Sequence, residues 1–160
     1  MKAKYLLPHR FKLIGWLFFI PALVLGILQF GILEEPDFFN WKVLSLAEKD
    51  FVFGNDTSSK WVFFKVIENN VFDELISIVL LVGLLFIALA KQKVEDEFTM
   101  KLRLESILWA VLANAVLLVL AIAFIYDFMF FNIMIFNLFL TLILFVIRFH
   151  WVMFKHRAAE

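Results

Sequence analysis

Four long apolar stretches constrain this chain more than any other feature. They run over Leu13–Leu33, Val71–Ala90, Ile107–Tyr126 and Phe130–Ile147. Each approaches the roughly 20 residues a helix needs to cross about 30 Å of hydrocarbon. Lipid offers no water to backbone amides, so a spanning segment must pair every amide, as helices and closed barrels do. Membrane strands alternate polar and apolar residues, whereas these stretches are apolar throughout. The expected fold class is all-α: an integral membrane four-helix bundle, up-down-up-down, forming a single membrane domain. A small extracytoplasmic cap loop over 34–70 and a cytoplasmic helical loop over 91–106 complete the expected layout.

Composition supports lipid as the solvent. Hydrophobic residues make up 64% of the chain and charged residues 19%, and the mean hydropathy is +0.92. A soluble domain of this size has a large surface to cover and carries more charge. These values exclude a soluble globular enzyme, a disordered tail and a disulfide-rich secreted module. The chain has no cysteine, so thiolate chemistry, cysteine-ligated metal and a lipoprotein anchor are excluded. Lys plus Arg and Asp plus Glu are both 15, which gives no basic face for nucleic acid.

The basic start (Lys2, Lys4, Arg10, Lys12) precedes the first apolar run, as in a signal peptide. That run is longer than a signal h-region of about 7–15 residues, and Glu34-Glu35-Pro36 follows it in place of a small-residue cleavage site. It reads as an uncleaved first membrane helix. Cations set the orientation. The N-terminal segment, the loop holding Lys91, Lys93, Lys101 and Arg103, and the tail with Arg148, Lys155 and Arg157 share one side. The other side holds Lys42, Lys49, Lys60 and Lys65. The positive-inside rule predicts a multi-pass protein with both termini in the cytoplasm. Trp16, Trp109 and Trp151 fall near the inner boundary.

In the 34–70 loop, Gly54-Asn55-Asp56-Thr57-Ser58-Ser59 is a turn signal. Phe51–Phe53 and Trp61–Ile67 flank it and read as a hairpin, while Leu44–Lys49 reads alternatively as a short helix. The loop's many aromatics suit a cap on the outer helix ends. In the inner loop, Lys93/Glu97, Glu97/Lys101 and Lys101/Glu105 are each four apart, a spacing that brings side chains together on a helix. The third helix is therefore expected to start near Val94–Phe98.

Polar residues inside apolar runs are the informative positions, because an unpaired polar group in lipid is costly. The third and fourth helices are predicted to fold back near Phe128. That fold sets Asn114 level with Thr141, with Asn137 one turn away on the same face. Ser106, Ala110, Ala113, Asn114 and Ala121 form a small, weakly polar stripe that favours close helix approach. Asn114, Asn137 and Thr141 are either packing contacts or a ligand or transport seam, to which Gln29, Asp73 and Ser77 would add. Glu105 and Arg148 fall at similar depth as an expected inner-boundary ion pair. The first helix carries Gly15, Ala22, Gly26 and Gln29 on one stripe, with Pro21 in its interior. Asp73 and Ser77 lie one turn apart at the start of the second helix, where Gln29 is able to meet them.

His9, His150 and His156 gather near the inner surface with Glu95 and Glu97. Their spacing matches no standard metal motif, so neither a metal nor a cofactor is expected. No histidine lies within the helices to hold a haem. Nucleotide-binding, hydrolase and metalloprotease motifs are absent from the sequence, and no acidic residue falls at mid-membrane to couple protons.

Two phrases and an ending carry a family resemblance. They are Ile67-Glu68-Asn69-Asn70-Val71-Phe72-Asp73-Glu74; Lys91-Gln92-Lys93-Val94-Glu95-Asp96-Glu97 running on to Leu102-Arg103-Leu104-Glu105-Ser106 and Trp109-Ala110; and Arg148-Phe149. Together they resemble a family of small four-helix membrane proteins of Bacteroidetes-type bacteria. The resemblance implies the fold and a place in a bacterial inner (cytoplasmic) membrane, leans towards sensing or regulation, and carries no activity over to any residue. The expected function is non-enzymatic: a regulatory, sensory or accessory membrane protein. It would meet a membrane or cytoplasmic protein partner, or a second copy of itself, through Glu95, Asp96, Glu97, Lys101 and Arg103. The alternative is a small transporter or channel, possible as an oligomer, using the Asn114, Asn137 and Thr141 seam.

Overall fold

The computed structural model describes residues 6–29, 36–49, 61–93 and 96–157. Four helices form the bulk of it: α1 Arg10–Gln29, α2 Phe72–Leu89, α3 Glu97–Phe124 and α4 Asp127–Arg157. All four are long and apolar enough to cross a membrane. Between α1 and α2 lie a short 3-10 turn, Asp37–Phe39, and two strands, β1 Asn40–Lys49 and β2 Trp61–Asn70. The all-α expectation is corrected accordingly: the fold is mostly helical with one antiparallel ribbon.

The ribbon pairs Asn40 with Asn70, Lys42 with Glu68, Leu44 with Val66, and Lys49 with Trp61. Leu44–Lys49 is thus a strand and not a helix. Trp61–Ile67 does enter a hairpin, but its partner is Asn40–Lys49; Phe51–Phe53 and the 54–59 turn signal lie outside the described residues. β-Branched and aromatic residues in β2 favour the pleated backbone, and cross-strand pairs such as Lys42–Glu68, 3.6 Å apart, hold the register. Phe64 sits at φ 57, a left-handed conformation costly for an aromatic residue, and the regular ladder skips its position. Leu44, Leu46, Phe63 and Val66 are exposed. The ribbon thus carries exposed apolar side chains along both strands.

The chain divides into two compact units, Leu23–Ile78 and Met1–Ala22 with Val79–Glu160. In the first, the ribbon's root is hydrogen-bonded into place. Asn70 Nδ2 donates to Pro36 O at 3.1 Å, Val71 N–H to Phe39 O at 3.1 Å, and Asn70 Oδ1 accepts from the Phe72 N–H at the start of α2. In the second, Leu84, Ile87, Ala110, Phe145, Val146 and Phe149 form a buried core. α3 turns Leu102, Ser106, Ala110 and Ala121 into the interior; of the stripe read from the sequence, Ser106, Ala110 and Ala121 are buried and Ala113 and Asn114 half-buried. Its other faces expose Leu104, Leu108, Leu112 and Val119 at 61–66%. Such surface is costly in water and costs nothing in hydrocarbon.

α3 starts where the four-residue charge spacing predicted. Asp96 is its N-cap, accepting the Thr99 N–H at 2.7 Å. It ends at Ile125, whose N–H returns to Ala121 O, and α4 opens at Asp127 with φ 60. Asp tolerates that left-handed conformation better than most residues. The fold-back therefore centres on Ile125–Tyr126 and not on Phe128. Helices of 28 and 31 residues reach roughly 42 and 46 Å at 1.5 Å per residue, so both exceed the hydrocarbon thickness.

α1 meets α2 through glycine. A Cβ on Gly83 would lie 2.8 Å from Phe19 N, and one on Gly15 would lie 2.9 Å from Gly83 O. The two backbones touch there, as small residues permit. Gly26 differs: its added Cβ would meet Ile76 Cγ2 at 3.7 Å, an ordinary contact. Gly83→Ala is therefore expected to cost about 1–3 kcal/mol through overpacking, and Gly26→Ala to be tolerated. Thermal unfolding of both variants in mild detergent checks this; equal midpoints would refute the close crossing.

Candidate functional site

The most densely connected polar region gathers around the end of α2. That helix ends without Gly, Pro or a basic residue in its last turn, so its final carbonyls need outside donors. Three consecutive carbonyls find them. Arg103 Nη1 donates to Ala88 O at 2.5 Å and Nη2 to Ala90 O at 3.3 Å, while the Leu7 N–H donates to Leu89 O at 2.9 Å. Leu7 O in turn accepts from the Lys91 N–H at 2.9 Å, and the pair forms a parallel bridge, Leu7 with Ala90. His9 Nδ1 lies 2.8 Å from Lys91 O, and Lys12 Nζ donates to Gln92 Oε1 at 3.3 Å. The Arg103 guanidinium also stacks over the Phe149 ring of α4, 4.9 Å from its centroid. Its positive charge complements the negative end of the α2 dipole.

This geometry gives Arg103 a role that the sequence reading does not include. The sequence reading sets it in a partner-binding patch; here it is half-buried and serves α2. The signal was available, since Arg103 stands three residues before Ser106 and seven before Ala110, on the stripe that packs inward. Of the other patch residues, Asp96 caps α3, Glu97 and Lys101 are exposed in its first turns, and Glu95 lies outside the described residues.

The structure corrects the reading of the seam. Asn137 Nδ2 donates to Asn114 Oδ1 at 3.0 Å and Asn114 Nδ2 reaches Asn137 Oδ1 at 3.5 Å. With the fold-back at Ile125–Tyr126, Asn114 is level with Asn137, and Thr141 lies one turn further along, level with Ala110. The two amides satisfy each other between α3 and α4. The expected Glu105–Arg148 ion pair is not formed: Arg148 lies over the Trp109 ring at 4.9 Å, and Glu105 is exposed on α3. The aromatic face offers the guanidinium an attraction that needs no desolvated carboxylate.

At the other end of α2, Gln29 Nε2 donates to Asp73 Oδ1, so these two residues meet as the sequence suggested. Ser77 is half-buried one turn on. Asn69 Nδ2 donates to Glu74 Oε1 at 3.0 Å, and both acidic residues suit the positive start of that helix. The histidines take separate partners: His150 Nδ1 lies 2.9 Å from Val146 O with its ring beside Trp16, and the His156 ring lies 4.3 Å from that of Phe98.

No family model matches the chain, and no curated protein or solved structure matches it significantly.

Two outcomes are expected. Arg103→Leu strips Ala88 O and Ala90 O of a charged donor and should cost about 2 kcal/mol of stability. Arg103→Lys, a single point donor, should fall between it and the unsubstituted protein. Chemical unfolding in detergent measures both, and a neutral Arg103→Leu would remove Arg103 from this role. The second outcome is a pH effect. The Thr99 backbone N–H and hydroxyl, with His156 nearby, hold the Asp96 carboxyl below its ordinary value. A lowered pKa favours the folded state above the unfolded value, and the benefit is lost as pH falls through the folded one. Acid should therefore loosen the start of α3. Asp96→Asn, which keeps the cap, should flatten that acid dependence, as read by amide exchange at Thr99–Leu102.

Proposed function

We propose that this chain is a non-enzymatic multi-pass membrane protein of regulatory, sensory or accessory type, and that it acts on a protein partner. Its four helices cross a bacterial inner membrane up-down-up-down with both termini in the cytoplasm, as the bias of Lys and Arg to one side supports. The contact region is the charged start of α3, where Glu97, Lys101 and Glu105 recur every four residues on an exposed face. One observation carries the choice. Three polar side chains of the apolar helices are spent on structure: Asn114 on Asn137, Gln29 on Asp73, and Arg103 on the α2 carbonyls. Glu97, Lys101 and Glu105 face outward instead.

The test is capture of the protein from its native membrane in nanodiscs, with mass spectrometry of what accompanies it. A stoichiometric protein partner is expected, and it should be lost on joint Glu97→Lys and Lys101→Glu substitution with helicity unchanged. A homo-oligomer without a partner would argue for the transporter reading. That reading requires solute flux in liposomes that joint Asn114→Leu, Asn137→Leu and Thr141→Val substitution abolishes.

A further inference from the structure

A cavity of about 180 Å³ lies between α2, α3 and α4. Ala88, Ala110 and Phe145 form its buried floor, while Leu85, Leu89 and Ile107, each 37–42% exposed, stand at its rim. The two polar residues in its wall are Arg103 and Thr141. The Arg103 guanidinium points its Nη atoms at the Ala88 and Ala90 carbonyls, which leaves its methylene stem to line the space. A buried water needs two to four polar partners, and an apolar cavity of about 150 Å³ stays dry and accepts benzene-sized molecules. This space is of similar size and as apolar, and it opens to the surface at its rim.

The geometry points to a binding site for one lipid acyl chain. The rim residues belong to the exposed apolar faces of α2 and α3, so the surface that meets lipid tails continues directly into the cavity. In a bilayer the molecule at that mouth is hydrocarbon, flexible enough to enter a narrow slot and apolar enough to match its walls. Thr141, the residue set apart when Asn114 pairs with Asn137, lines this site and not a polar seam. The inference rests on the membrane reading, and the experiment separates the two.

The probe is a phosphatidylcholine carrying a diazirine on its acyl chain, with the full chain in nanodiscs. Illumination followed by peptide mapping reports which residues it touches. Label is expected on Phe145 as well as on Leu13 and Leu17, exposed residues of α1. Ala110→Leu fills the floor, and Leu85→Trp narrows the rim from an exposed position that tolerates bulk. Both should abolish label at Phe145 and leave that on α1 unchanged. Should Ala110→Leu fail to fold, Leu85→Trp alone decides. Label on α1 with none at Phe145, or label at Phe145 that survives both variants, would overturn the site. Absence of label on α1 as well would overturn the membrane reading together with it.

Discussion

The end of α2 is the constraint on which the larger unit depends. A helix that stops without a glycine or a basic residue leaves its last carbonyls exposed, and they cannot be left dry. Ala88, Leu89 and Ala90 are served from outside the helix, by Arg103 of α3 and by the backbone of Leu7. Through Arg103 the same point reaches Phe149 of α4. One backbone requirement thus ties the N-terminal segment, α2, α3 and α4 to each other. The buried Leu84, Ile87 and Phe149 pack beneath these polar links.

Helices long and apolar enough to cross a membrane would need few polar contacts there. Burial of apolar surface does not drive helix association in lipid, so close backbone approach and cross-helix hydrogen bonds do more of it. Gly15 against Gly83 supplies the first and Asn114 with Asn137 the second. Arg148 over Trp109 follows the same logic, because a ring face receives the guanidinium without a second desolvated charge.

Several parts of the site were legible because they depend on local spacing. The Ser106–Ala110–Ala121 packing face and the charged start of α3 follow from three- and four-residue periodicity within one helix, and the Gln29–Asp73 contact from the facing ends of two successive apolar runs. The misreadings share a cause. The levels assigned across α3 and α4 hung on where the chain folds back, and a shift from Phe128 to Ile125–Tyr126 moved Asn114 from Thr141 to Asn137. Arg103 was read by its charge, although its place on the inward stripe pointed elsewhere.

What the sequence by itself determined is the set of four apolar helices, because their length and uniform hydropathy admit no other way to pair backbone amides in lipid. It also marked the small-residue faces, since periodicity is a property of one helix. Tertiary structure decided the pairing of Asn40–Lys49 with Trp61–Asn70, the partner of Asn114, the inward role of Arg103 and the cavity above Ala110. Each of these joins residues distant in sequence. Such contacts form only when the elements are packed and one group's unmet hydrogen bond or empty space selects the other.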